Sequence, residues 1–236
     1  MSAPPEDRIV LVTGASRGVG RAAAKALAEA GAHVIALART VGGLEELDEE
    51  IQKAGGSATL VPLDLRDTAA LDRLGASIFE RWGRLDGFFG NAGQLGQLSP
   101  LNHLDPKVFQ EAVDVNVIAN YRLIRSLDPL LRRSDAGRAL FVTSGAARKH
   151  TPFWGAYAVT KAALESLALT YAAECEGTNV RVNLLSPGPL RTRMRAKAMP
   201  GEDPGTLQPP ETVAPLIVEL LSPGCTKHGE IVEYRR

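Results

Sequence analysis

Ile9-Val10-Leu11-Val12-Thr13-Gly14-Ala15-Ser16-Arg17-Gly18-Val19-Gly20 changes character twice within a few residues. Its first four residues are apolar and mostly β-branched, which reads as a strand buried on both faces. A glycine-rich turn follows, and then an Ala-rich segment from Val19 to Ala30 that reads as a helix. Gly31 stands just beyond it, where a left-handed cap is favoured. Strand, glycine turn and helix in this order predict the opening of a βαβ unit.

The alternation continues along the chain. Further strands are expected over 33–37, 58–63, from Leu85-Asp86 through Gly87-Phe88-Phe89, and over 139–143, 180–185 and 231–234. Helices are expected over 44–54, 68–82, 105–132, 156–176 and 210–221. Pro106 falls in the first turn of the 105–132 segment, where proline is tolerated, and Pro129 should kink or fray its end. Such alternation demands crossover connections, hence an α/β fold: a Rossmann-like, doubly wound parallel sheet of about seven strands with helices on both faces.

The chain has 236 residues, 44 % of them hydrophobic and 23 % charged, with 27 basic and 27 acidic residues. This excludes a disordered chain and gives no support to a nucleic-acid or acidic-membrane partner, both of which need a local basic excess. No apolar run approaches the ~18–20 residues that span a bilayer. Met1 to Arg8 lacks the basic-then-apolar layout of a leader. Cys175 and Cys225 cannot make a disulfide framework, so a reducing, cytoplasmic setting is expected. Without a linker, repeat or low-complexity segment, residues 1–236 read as a single domain, with a Pro- and Gly-rich lid near 189–210.

At the glycine turn the missing side chains let backbone approach a pyrophosphate, which rests on the positive end of the following helix. A tight turn without ligand is the competing reading. The spacing is Gly-x3-Gly-x-Gly over Gly14, Gly18 and Gly20, and here the chain resembles the compact branch of the short-chain dehydrogenases/reductases. The resemblance covers nearly the whole chain. It implies cofactor contacts from Gly14, Ser16, Arg17, Gly18, Val19 and Gly20. It also implies them from Asp64-Leu65 after the third strand and from Asn91-Ala92-Gly93 after the fourth. At the end of the second strand an acid would bind the adenosine ribose, whereas a base would accept a 2′-phosphate. Arg39 stands there, and Arg17 is a second candidate cation, so NADP(H) is expected over NAD(H). The competing reading is two solvated surface arginines.

Tyr157 and Lys161 lie four residues apart, about one helical turn, and share a face. A neighbouring ammonium should lower the pKa of the phenol, which can then serve as general acid or base. The resemblance implies that Ser144 hydrogen-bonds the substrate oxygen and that Asn116 supports a water-mediated proton relay through Lys161. It implies further that Tyr157 protonates that oxygen while Lys161 binds the nicotinamide ribose. Pro187-Gly188 match the turn by the nicotinamide, and Thr192, with Leu190 beside it, matches the hydroxyl that holds the carboxamide. The implied activity is hydride transfer between a nicotinamide and a small carbonyl/alcohol substrate. Weighed against it are a non-catalytic NADP-binding redox sensor and an enoyl reductase. Relatives of the latter kind usually space Tyr and Lys more widely, and nucleotide-sugar epimerases have a longer substrate region.

Candidate substrate walls are Leu95, Ser144, Ala146, Phe153, Trp154, Leu190, Met194 and Met199. The lid resembles that of an uncharacterised bacterial oxidoreductase subgroup. Its Arg191, Arg193, Arg195 and Lys197 could attract an anion, close over cofactor phosphates or remain solvated. The four histidines, His33, His103, His150 and His228, lack metal-ligand spacing, and no metal is expected. The family commonly packs its 105–132 and 156–176 helices into homodimers and homotetramers. The charged end, Glu233-Tyr234-Arg235-Arg236, departs from the family's usual Val-Asp-Gly-Gly and puts in doubt a tetramer built on it.

Overall fold

A computed structural model describes residues 8–234; the readings placed on Met1 to Asp7 and on Arg235-Arg236 lie outside them. Seven strands form one parallel sheet in the order β3-β2-β1-β4-β5-β6-β7. They are β1 (Ile9–Thr13), β2 (His33–Ala38), β3 (Ser57–Pro62), β4 (Gly87–Gly90), β5 (Arg138–Val142), β6 (Arg181–Ser186) and β7 (Ile231–Glu233). The helices are α1 (Gly18–Glu29), α2 (Val41–Lys53), α3 (Thr68–Trp82), α4 (Pro106–Val113), α5 (Ala119–Leu131), α6 (Ala146–Lys149), α7 (Gly155–Glu174), α8 (Arg193–Ala198) and α9 (Ala214–Leu221).

The two-residue period of a strand decides which core each side chain enters. Ile9 and Leu11 pack with Phe88, Phe141 and the inner faces of α3, α5 and α7. Val10 and Val12 point the other way, into a core shared with α1, α2 and α9. Because both faces are covered, all of β1, β4 and β5 is buried, which is why Ile9–Val12 and Ala139–Val142 read as unbroken apolar runs. Phe88 and Phe141 meet edge to face at 5.4 Å between centroids. Where α3 crosses α5, a Cβ on Gly75 would stand 2.0 Å from the Ser126 carbonyl oxygen. Only a glycine permits that approach.

Several expectations need correction. The 105–132 region is helical from Pro106 to Leu131, but a wider π turn over Asp114–Ile118 joins α4 to α5. Pro129 lies inside α5, which runs on to Leu131 without breaking there. The lid near 189–210 contains a short helix, α8. Thr192 caps α8, its Oγ1 accepting from Arg195 N at 3.2 Å, and Leu190 bridges to Gln208 so that the loop closes at its base. Short helical turns at Leu101–His103 and in α6 were not foreseen. The carboxyl ends of β1, β2, β4, β5 and β6 open on one side of the sheet, where the site lies.

Candidate active site

The floor begins with the glycine turn. Gly14 has φ +67°, and a Cβ there would press on the Ala92 Cα and Asn91 Nδ2, each at 3.0 Å. Gly18 also takes a positive φ, +57°. Gly20 serves differently, since its Cβ would meet the Gly14 carbonyl oxygen at 2.3 Å. It lets α1 fold back against the turn and does not itself line the cleft. Arg17 occupies the N-cap of α1 without a side-chain capping hydrogen bond, and the first turn carries no acid. The helix therefore presents its positive end and uncapped amides to the cleft. Thr13 ties the floor together: its Oγ1 accepts from Asn91 N at 3.0 Å and Ala92 N at 3.1 Å, while Asn91 Nδ2 donates to Thr13 O at 2.9 Å. These are the contacts by which Asn91-Ala92-Gly93 braces β4 against β1.

The cleft has a volume of about 1810 Å³. It gathers Gly14, Ser16, Arg17, Gly18, Val19, Arg39, Asp64, Leu65, Asn91, Ala92, Gly93, Pro187, Gly188, Leu190 and Thr192 with Ser144, Tyr157 and Lys161. Gly20 is the one sequence-predicted cofactor residue set back from its surface. At the far end Arg39 is mostly exposed, its Nη1 3.9 Å from Asp64 Oδ2. Arg66 takes that carboxylate more closely, Nη2 to Oδ2 at 2.8 Å, and holds it below the usual carboxylate range. The Arg39 guanidinium thus stays available to a second anion.

Ser144 follows β5, its Oγ accepting from Ala146 N at 3.2 Å. It also acts on the Tyr157 phenol, drawing its pKa down. Lys161, 2 % exposed, donates from Nζ to the Val142 carbonyl at 2.7 Å. The expectation that Lys161 lowers the phenol's pKa is not met. Burial pushes Tyr157 up, and only Ser144 pulls it back. Lys161 Nζ lies 5.8 Å from the phenol ring centroid and is itself lowered by burial to about 8. Desolvation outweighs the attraction that the Glu165 carboxylate exerts on the ammonium.

Asn116 is fully buried behind the wall rather than on it. Its Oδ1 accepts from Gln94 N at 2.7 Å, and its Nδ2 donates to Gln94 O at 2.9 Å and to Thr160 Oγ1 at 2.8 Å. The π turn aims this amide inward, between the loop after β4 and helix α7. The Asn116 backbone carbonyl accepts from Asn120 Nδ2 at 2.9 Å.

Beside Tyr157 lies an apolar wall of Leu95, Leu98, Ala146, Trp154, Met194 and Ala198. Trp154 stacks edge-on against Tyr157 at 6.1 Å. Met199 also lines the cleft. Phe153 does not: it is 57 % exposed, with a left-handed φ of +72° that turns it away. The basic lid cluster is thinner than its sequence suggests, because Arg195 is engaged by Glu202 at 2.6 Å. Gln94, Gln97, Lys149 and Thr151 line the cleft and were missed, since isolated polar residues in loops carry no periodic signal. Glu165, one turn beyond Lys161, was missed as well; its spacing was the available clue.

Among the described residues no helix is long and apolar enough to cross a membrane. The sequence matches the short chain dehydrogenase family over residues 8–203. It is 40 % identical over 218 residues to the uncharacterised oxidoreductase YciK of Escherichia coli K12, covering 91 % of this chain and 86 % of that one. A short chain dehydrogenase structure from Pseudomonas syringae superposes with a TM-score of 0.95 at 39 % identity, over 99 % of this chain and 96 % of that one. One from Shigella flexneri 2a, complexed with NADP, gives 0.94 at 38 % identity over 99 % of both chains.

Proposed function

We propose, from the premise that this chain belongs to the short-chain dehydrogenase/reductase family and is an oxidoreductase, that it interconverts carbonyl and alcohol groups using NADP(H). The observation that carries this is the convergence of Ser144, Tyr157 and Lys161 on one wall of a cleft whose floor is the Gly14–Gly18 turn. The NADP complex of a 38 % identical structure supports the cofactor class. Arg17 and Arg39 on this chain support preference for the 2′-phosphate form.

The residues fit such a cofactor. The positive-φ glycines leave the floor bare, the amides of α1 suit a pyrophosphate, and the loop after Pro187 and Thr192 border the far side. The bound nicotinamide supplies the hydride. Ser144 Oγ–H donates to the carbonyl oxygen and fixes the carbonyl beside the phenol. Tyr157 O–H gives that oxygen its proton, a role worth about 10²–10⁴ in rate. Lys161 would hold the nicotinamide ribose, and Asn116 anchors the segment through which the proton is replaced. Leu95, Trp154 and Met194 exclude water and take the apolar part of the substrate.

Residues 1–236 act as one domain, with 189–210 as a lid closed at Leu190 and Gln208. Tyr121 on α5 and Val159 on α7 are exposed apolar positions suited to a homodimer or homotetramer. The free Cys175 and Cys225 suit a reducing cytoplasm. Titration of cofactor-free protein by nicotinamide fluorescence tests the cofactor reading. Tighter NADPH than NADH binding is expected; equal affinity overturns the phosphate assignment, and no binding to a folded sample overturns the enzyme reading.

A further inference from the structure

The end of β5 meets α7 at three consecutive residues, and the function above uses only two of those contacts. Ser144 acts on the Tyr157 phenol, and the Val142 carbonyl accepts from Lys161 at 2.7 Å. Between them Thr143, 1 % exposed, donates from Oγ1 to Glu165 Oε1 at 2.6 Å. Glu165 is only 9 % exposed. Tyr157, Lys161 and Glu165 are spaced four residues apart and form one stripe of α7.

We propose that Glu165 is a positioning residue: it locks the Ser144-bearing strand end against α7 and supplies the counter-charge to the Lys161 ammonium. Its role in turnover rests on the oxidoreductase reading above; its effect on the Lys161 proton does not.

A buried carboxylate needs partners, and those of Glu165 are unequal. Arg148 on α6 bonds it through Nη1 but also reaches Glu233 at the end of β7, Nη2 to Oε1 at 3.4 Å. One cation is thus shared between two carboxylates, which leaves net negative charge beside the stripe. The groups facing Lys161 are Tyr157 and Glu165 on its own helix, the Val142 carbonyl from β5, and Gly93 from the loop after β4. A Cβ on Gly93 would lie 3.5 Å from Nζ and 3.4 Å from Asn116 Oδ1. Of these, Glu165 is the one carboxylate. Burial lowers Lys161, and Glu165 is the charge that opposes it.

The test is the titration of the Lys161 ammonium in the full chain by ¹⁵N-lysine NMR. Glu165→Gln keeps an oxygen for Thr143 and removes the charge. It is expected to move the Lys161 midpoint down by about one pH unit, while Glu165→Asp restores most of it and Thr143→Val leaves it in place. The alkaline limb of the kcat/KM profile with NADPH should move down with it, whereas Thr143→Val should lower kcat without shifting the limb. An unmoved Lys161 midpoint in folded Glu165→Gln overturns the proposal. Should that variant not fold, Arg148→Gln relieves the shared carboxylate and is expected to raise the midpoint; no movement overturns it equally. A wild-type protein that reduces no carbonyl overturns the oxidoreductase mechanism and leaves the NMR result to decide this one.

Discussion

Replacing Lys161 with Met probes the buried charge through stability, with no substrate required. Burial lowers the folded-state value from 10.5 to about 8. At ~1.4 kcal/mol per pH unit, that is a penalty of about 3 kcal/mol on the ammonium. The sign follows from proton counts. Below pH 8 folded and unfolded chains both hold the proton, and the folded one bears the full penalty. Between pH 8 and 10.5 the unfolded chain still holds it while the folded chain has released it, so wild-type stability rises with pH. Lys161→Met removes this dependence. It also strips the Val142 carbonyl of its donor, which costs about 1–3 kcal/mol at every pH. The diagnostic quantity is therefore the change in the difference between the two proteins. Urea denaturation at intervals from pH 7 to 10.5 should show wild type gaining about 3 kcal/mol on the variant, nearly all of it above pH 8. Parallel curves would refute the buried ammonium.

Other outcomes follow from the same geometry. Arg17→Ala and Arg39→Ala should each weaken NADPH binding by about tenfold and leave NADH binding unchanged, as read by nicotinamide fluorescence. Gly20→Ala should destabilise the fold by more than ~2 kcal/mol in denaturant melts, because a Cβ 2.3 Å from a backbone oxygen forces the turn apart. Glu202→Gln should release Arg195 and raise KM about threefold or more with NADPH binding intact, since a half-buried ion pair is worth about 1 kcal/mol.

The strands of the central sheet were legible because burial on both faces writes Ile9–Val12 and Ala139–Val142 as apolar runs. The cofactor floor was legible because a strand, Gly14 and Gly18, and a helix occur in that order. Ser144 could be joined to Tyr157 and Lys161 only through the resemblance, because that meeting is tertiary, whereas the Tyr157–Lys161 pairing was legible in their helical spacing. The π turn at Asp114–Ile118 left no mark in the sequence, since widening a helix by one residue per turn alters hydrogen bonding more than hydrophobic period. Helix α8 was hidden because its residues, Arg193-Met194-Arg195-Ala196-Lys197-Ala198, show no clear apolar stripe; its Thr192 cap was the only local signal. Phe153 misled because an aromatic beside Trp154 suggests a pocket wall, while its positive φ is set by the fold around it. Glu165 was missed because Thr143 and Arg148 reach it only across the fold.

The most direct measurement follows the hydride and the proton acid together. Wild-type protein and Tyr157→Phe are incubated with NADPH deuterated at the transferring position and a panel of apolar aldehydes and ketones, and the products are read by mass spectrometry. Wild type should yield alcohols carrying one deuterium on the former carbonyl carbon. Tyr157→Phe should bind the cofactor normally and yield at least ~10²-fold less. Equal deuteration by the variant would remove Tyr157 from the acid role and contradict the mechanism at its centre.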